Sequence, residues 1–144
     1  MIRNTTRVLC LLLALCLLSL AFVACAKKVE KTGAWEKATY LKDTTLGKGS
    51  KTLKVVVKAD EQSITFTIKT DAETVGAALL ENDLIAGDQS QYGLYVKTVN
   101  GMRADYDTDG YYWAFYKNGE YMMTGVDSTA FADGEQYELV REKA

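Results

Sequence analysis

No histidine occurs among the 144 residues, and the three cysteines, Cys10, Cys16 and Cys25, all fall within the first 25 positions. Without an imidazole the chain can assemble neither a Ser/His or Cys/His nucleophile pair nor a His-ligated zinc. Proline is missing as well, where average usage of about 5% would place about seven. That excludes a Pro-rich linker or PxxP ligand. An excess of positive charge is also lacking. Lys+Arg 17 against Asp+Glu 19 leaves a net charge of -2 and a pI of about 5.2, the opposite of the footprint of a nucleic-acid binder. No nucleophile elbow, phosphate-binding glycine loop or metal-ligand cluster is spelled out. The chain is therefore expected not to be an enzyme, with no catalytic residue, no metal ligand and no cofactor assigned.

What is present begins with an address. Arg3 and Arg7 precede a run from Val8 to Ala24 that is apolar apart from Ser19, the charged-then-apolar order of a secretory signal. Cys10 and Cys16 lie inside the run, so only Cys25 would survive processing and no disulfide can form within one mature chain. Phe22-Val23-Ala24-Cys25 resembles the lipobox of bacterial lipoproteins, with Phe22 in place of the usual leucine. That resemblance implies cleavage after Ala24, lipidation of Cys25 and attachment to membrane lipid on the extracytoplasmic face. Two other readings share the segment. Its 17 residues fall just short of the roughly 20 that cross a bilayer as a helix, which leaves an uncleaved anchor open. Ala24-Cys25-Ala26 also fits the A-x-A cleavage pattern of a fully secreted protein.

The expected division is a signal over 1–24, a lipidated cysteine and tether over 25–33, and one domain over 34–144. Charge is unevenly distributed along it. Residues 25–69 hold ten lysines and five acids, whereas 70–144 hold five Lys/Arg and fourteen acids. Lys27, Lys28 and Lys31, next to the lipid, can add attraction to an anionic leaflet of about 1 kcal/mol each. A solvated tether whose lysines only maintain solubility reads the same three residues equally well.

Leu53, Val55 and Val57 alternate with mostly polar neighbours, as do Ile64, Phe66 and Ile68; this predicts two half-buried strands joined by a turn at Asp60–Ser63. Thr70 and Glu73 have capping-box spacing ahead of Val75, Ala78, Leu79 and Asn82, so one helix of about three turns is expected. A loop with Gly87 and Gly93 follows. Strands are then expected over Leu94–Val99 and Met102–Tyr106, over Tyr111–Lys117 and Glu120–Thr124, and over Gln136–Arg141. Asn100-Gly101 and Asn118-Gly119 are type I′ hairpin signals, and Asp133-Gly134 marks a further turn. The class is α+β: one main helix on a curled mixed sheet.

A two-residue turn at Asn118-Gly119 pairs Tyr116 with Tyr121 and Phe115 with Met122. Tyr111, Trp113, Phe115 and Met122 then share one face, assigned to the core. Tyr112, Tyr116, Tyr121 and Met123 share the other, around the small Ala114, as an amphipathic plate able to stack on a flat ligand or a partner's surface. The plainer reading of the plate is cross-strand tyrosine packing. Asp105, Asp107, Asp109 and Gly110 open like a calcium loop, but the twelfth position is Tyr116 rather than glutamate. The EF-hand pattern therefore fails, a looser three-carboxylate calcium site in a β-loop stays open, and an acidic, solvated hairpin tip explains the same residues.

The run Tyr112-Trp113-Ala114-Phe115-Tyr116-Lys117-Asn118-Gly119-Glu120-Tyr121, with the later Asp133-Gly134-Glu135-Gln136-Tyr137, resembles the transcobalamin-C-terminal-like domain of unknown function found on bacterial lipoproteins and surface proteins. The resemblance covers roughly 34–144. It implies a β-grasp-like fold of the soluble-ligand-binding type. In transcobalamin and intrinsic factor the related domain closes over one face of cobalamin while a helical barrel holds the other, and no such barrel is seen here. The expected function is thus that of a surface lipoprotein binding a small, corrinoid-like molecule, or an accessory to an uptake transporter. The alternative is a protein-interaction or adhesion module that meets another surface protein or the cell wall.

Overall fold

The computed structural model describes residues 27–144; the expected signal over 1–24 and the lipidation position Cys25 lie outside the described residues. Among the described residues there are nine strands: β1 (Thr44–Gly47), β2 (Lys51–Ala59), β3 (Gln62–Thr70), β4 (Ile85–Ser90), β5 (Gly93–Val99), β6 (Met102–Arg103), β7 (Tyr111–Lys117), β8 (Glu120–Tyr121) and β9 (Gln136–Lys143). The main helix, α1 (Val75–Leu80), follows β3. They form a six-stranded sheet in the order β1-β3-β2-β9-β7-β8 and a three-stranded sheet β4-β5-β6. The class is α+β, as the sequence pattern predicts.

The β2–β3 hairpin turns through Asp60 and Glu61, both with positive φ, the conformation a two-residue type I′ loop requires. Strand alternation then puts Leu53, Val55, Val57, Ile64, Phe66 and Ile68 in the core. Because the chain crosses over the sheet through α1, β9 returns parallel to β2, and β7 pairs with β9 antiparallel. Val75, Ala78 and Leu79 of α1 and the whole of Trp35 cover this face. The Trp35 indole donates to the Ala59 carbonyl at 2.9 Å, so its burial leaves no polar group unsatisfied. Removing about 200 Å² of aromatic surface from water is worth about 5 kcal/mol before entropy is counted.

Several details depart from the sequence expectation, and the strands expected over Met102–Tyr106 and Glu120–Thr124 end already at Arg103 and Tyr121. The helix is capped by Thr74, whose hydroxyl accepts from the Ala77 N–H at 3.2 Å, and has six residues rather than three turns. Thr70 instead accepts from the Ala72 N–H and donates to the Glu81 carboxylate. The loop expected around Gly87 is strand β4, whose exposed polar residues and bulge at Ala86/Gly87 hide the period-2 signal. Strand β1 lies parallel against β3, a pairing no local motif announces. Finally, the expected tether is part of the folded domain from Lys27 onward. Val29 is only 5% exposed and its N–H donates to Leu41 O at 2.8 Å.

Asn100 joins these parts. Its backbone N–H donates to Leu84 O, its carbonyl accepts from Thr39 N, and its amide bonds the Tyr40 carbonyl and N–H, both at 2.9 Å. Gly101 follows with φ 79°, and a Cβ there would stand 2.5 Å from Lys37 O. The hairpin turn is thereby the seat on which residues 37–40 rest.

Candidate functional site

Asn118 and Gly119 both have positive φ, and the resulting register pairs Tyr116 with Tyr121 and Lys117 with Glu120. Tyr112 and Tyr116 project from the same side of β7, and β9 brings Glu142 opposite Tyr112. Both phenols donate to the Glu142 carboxylate, at 2.9 and 2.6 Å. Tyr121 packs edge-on against Tyr116, with ring centroids 5.6 Å apart. The hydrogen bond to Glu142 is the main reason the Tyr116 phenol is pushed up to about 12; the same bond raises Tyr112. Through the neutral range this group is therefore two protonated phenols sharing one carboxylate. Met123 is not part of it. Strand β8 ends at Tyr121, the alternation stops there, and Met123 stands 92% exposed.

On the opposite side of β7, Trp113 and Phe115 are buried, as expected. They are also the wall of a cleft. β5 belongs to one sheet and β7 to the other, and the gap between them is a cleft of about 400 Å³, within the range of about 300–1,000 Å³ typical of small-ligand sites. Leu94, Tyr95 and Val96 line it from β5, Trp113 and Phe115 from β7, and Met122 to Val126 from the segment after β8, with Leu139, Tyr112 and Tyr121 completing the lining. Of the four site residues expected from the sequence, Tyr112, Tyr121 and Met123 touch this cleft and Tyr116 does not.

The wall segment is held from both sides. Asp127 accepts from the Leu94 N–H of β5 at 3.0 Å, and Thr129 O accepts from the Val75 N–H of α1 at 2.8 Å. Gly76 permits this approach, since a Cβ there would lie 2.7 Å from the Asp127 backbone. Two buried side-chain atoms among the described residues have no hydrogen-bond partner: Nε1 of Trp113, a residue that lines the cleft, and Oδ1 of Asp127, next in sequence after the lining segment. An unsatisfied buried donor costs about 1–3 kcal/mol, so such atoms are uncommon and point to a missing partner.

The acidic loop is built differently from a calcium site. Asp105 caps one helical turn, Tyr106–Asp109, by accepting from the Asp107 N–H. Burial acts to raise Asp105, but the hydrogen bond from Arg103 and the charge of Lys97 outweigh it and hold the carboxyl below its usual range. Asp109 accepts from the Asp105 and Tyr111 N–H groups and faces Arg141 at 3.6 Å. The carboxylates thus turn to separate partners, and among the described residues no three His, Cys, Asp or Glu side chains are grouped to hold a metal ion.

Comparison with known proteins bears on the family and the fold. The family profile described as a domain of unknown function (DUF4430) matches residues 72–138, the stretch that includes α1, β5, β7 and β8 and ends within β9. A crystal structure of a candidate metal-binding protein from Ruminococcus gnavus is similar at 32% identity and a TM-score of 0.62, over 66% of this chain and 99% of that one. Haptocorrin, solved in complex with Cbi, shares the fold at 19% identity and a TM-score of 0.53 over 64% of this chain. The chain spans 25% of the haptocorrin chain's length. No curated protein matches in sequence.

Proposed function

Because this chain belongs to the same family as the Ruminococcus gnavus protein that it spans almost end to end, we propose that its domain is a small-ligand-binding module. A flat, largely apolar ligand with a hydrogen-bond acceptor enters the cleft between β5 and β7 and leaves chemically unchanged. The observation that carries this reading is the cleft wall, mostly aromatic, aliphatic and thioether side chains with Thr124 and Gly125 among them, behind which the buried indole N–H of Trp113 has no partner. The rings and methionines exclude water around the ligand, and a small shift of the buried indole on binding brings its N–H to an acceptor on the ligand.

The corrinoid class is the first to test, because a hairpin, a helix and a parallel last strand are what a β-grasp-like reading of the fold calls for and the structurally similar haptocorrin was solved with Cbi. On this reading the protein is a lipoprotein, held on the extracytoplasmic face by lipid on Cys25, and serves as a binding protein or uptake accessory. A second reading has support in the exposure of Tyr92, Tyr95, Tyr121 and Met123, large side chains that suit a protein or cell-wall contact. Thermal unfolding of the protein with cobalamins, cobinamide, haem and cell-wall fragments separates the two. A cleft ligand at 100 times its dissociation constant adds about 2.7 kcal/mol to stability, and Tyr95→Ala should weaken it severalfold. A ligand indifferent to Tyr95→Ala would place binding outside the cleft, and stabilisation by wall fragments alone would favour the interaction module.

A further inference from the structure

Residues 27–30 are clamped onto the domain from two directions. On one side the Asp43 N–H donates to Lys27 O at 3.2 Å and the Val29 N–H to Leu41 O at 2.8 Å. On the other, the Gln62 side chain bonds both the N–H and the carbonyl of Glu30, at 2.7 and 3.2 Å, and Lys27 Nζ reaches Ser63 Oγ at 2.8 Å. This pairing sets Lys28 directly across from Lys42. Like charges placed opposite one another on paired segments repel, and here nothing offsets them. Among the described residues Lys28, Lys31 and Lys42 have no carboxylate within ion-pair distance, and residues 1–26 contain no acid. The nearby Asp43 carboxylate accepts from the Thr65 N–H at 2.7 Å, and is thus engaged on β3. All three lysines are exposed.

Cys25 is two residues from the clamped Lys27, a reach of at most about 7 Å at 3.3–3.6 Å per residue. The lysine edge therefore has no length of free chain on which to swing away from an anchor. Lys27, where the clamp begins, falls within about one Debye length, 8 Å at physiological salt, of the anchoring residue, and Lys28 follows it directly. From these observations we propose that the Lys28–Lys31–Lys42 edge docks on anionic lipid headgroups and holds the domain flush to the membrane in one orientation. The inference rests on the lipid anchor at Cys25 given under the proposed function. Residues 70–144, with fourteen acids against five bases, are repelled by the same surface, so both halves of the charge distribution favour one orientation. The segments lining the cleft all belong to that acidic part.

The test uses the full chain processed in its host and reconstituted in two kinds of vesicle, pure phosphatidylcholine and an equimolar mixture with phosphatidylglycerol. Lysines are labelled briefly with an amine-reactive ester and quantified by peptide mass spectrometry, with Lys97 and Lys143 as internal controls. In the anionic vesicles Lys28, Lys31 and Lys42 should label about fivefold more slowly than in the neutral ones. The protection should vanish in about 1 M salt, where the Debye length is about 3 Å, and that of the remaining Lys31 should vanish in Lys28→Glu/Lys42→Glu. Equal labelling in both vesicles, with the acyl mass on Cys25 confirmed, overturns the docking surface and leaves the anchor standing. An amino-terminal peptide without acyl mass overturns the anchor, and the inference with it. Protection in neutral vesicles on adding a soluble polyphosphate, with none from anionic lipid, would assign the edge to a wall-type polyanion and also overturn the proposal.

Discussion

Asn100→Ala should be among the most damaging single substitutions outside the hydrophobic core. The side-chain amide makes two hydrogen bonds to Tyr40, each 2.9 Å, worth about 1 kcal/mol apiece. Removing it also leaves the Tyr40 N–H and carbonyl partly buried without partners, which adds about 1 kcal/mol at the lower end of that penalty. Alanine must then hold φ 52°, at a further cost of about 1 kcal/mol. The total is about 4 kcal/mol, a large share of the 5–15 kcal/mol that stabilises a typical domain. Asn100→Gly keeps the left-handed geometry and should lose only about 3 kcal/mol. Urea unfolding of the three proteins measures both differences at constant m value. Hydrogen exchange should show the Val29 N–H, bonded to Leu41 O, exchanging faster in both variants. An Asn100→Gly protein as stable as wild type would refute the reasoning, because it would show that the bonds to Tyr40 contribute nothing.

Trp113→Ala should cost about 3–5 kcal/mol in the same assay, against much less for the half-buried Tyr112→Ala; equal losses would mean that the faces of β7 are reversed. An ultraviolet titration should find one tyrosine ionising near the value of about 12 given for Tyr116, and Glu142→Gln should return it toward about 10. Because the folded value lies above the unfolded one, this contribution to stability is complete below about pH 10 and is lost as the pH rises through about 12. Gly76→Ala should destabilise, despite a gain in helix propensity of about 1 kcal/mol, because the new Cβ meets the Asp127 backbone at 2.7 Å. It should also weaken any cleft ligand, since that contact seats the 122–126 wall.

The register around Asn118-Gly119 is legible because a two-residue type I′ turn leaves one pairing only, and the separation of Trp113 and Phe115 from Tyr112 and Tyr116 follows from it. The β2 and β3 strands are legible for a similar reason: one buried face imposes strict alternation. Legibility fails where two local solutions are equally good. Thr70 and Thr74 both precede the helix at capping distance, and Thr74 wins because the hydroxyl of Thr70 is taken by Ala72 and Glu81. Val29 is one apolar residue among charges, and only the pairing with Leu41 shows that it is anchored. Met123 joins the plate only if the alternation runs past Tyr121, where the strand ends. The cleft itself has no sequence signature, since it arises where β5 and β7, in different sheets, fail to pair. A tryptophan on an apolar face reads as core, and its missing acceptor is visible only in three dimensions.

The indole N–H resonances of the two tryptophans test the central claim most directly. Trp35 donates to Ala59 O and serves as the internal reference, while Trp113 has no acceptor. On titration with a ligand identified by thermal stabilisation, the Trp113 indole proton should move downfield and saturate with the binding isotherm, while that of Trp35 stays in place. If both indole signals remain fixed while the ring signals of Tyr116 shift, the ligand lies on the tyrosine and Glu142 side of the sheet and the cleft is not the site.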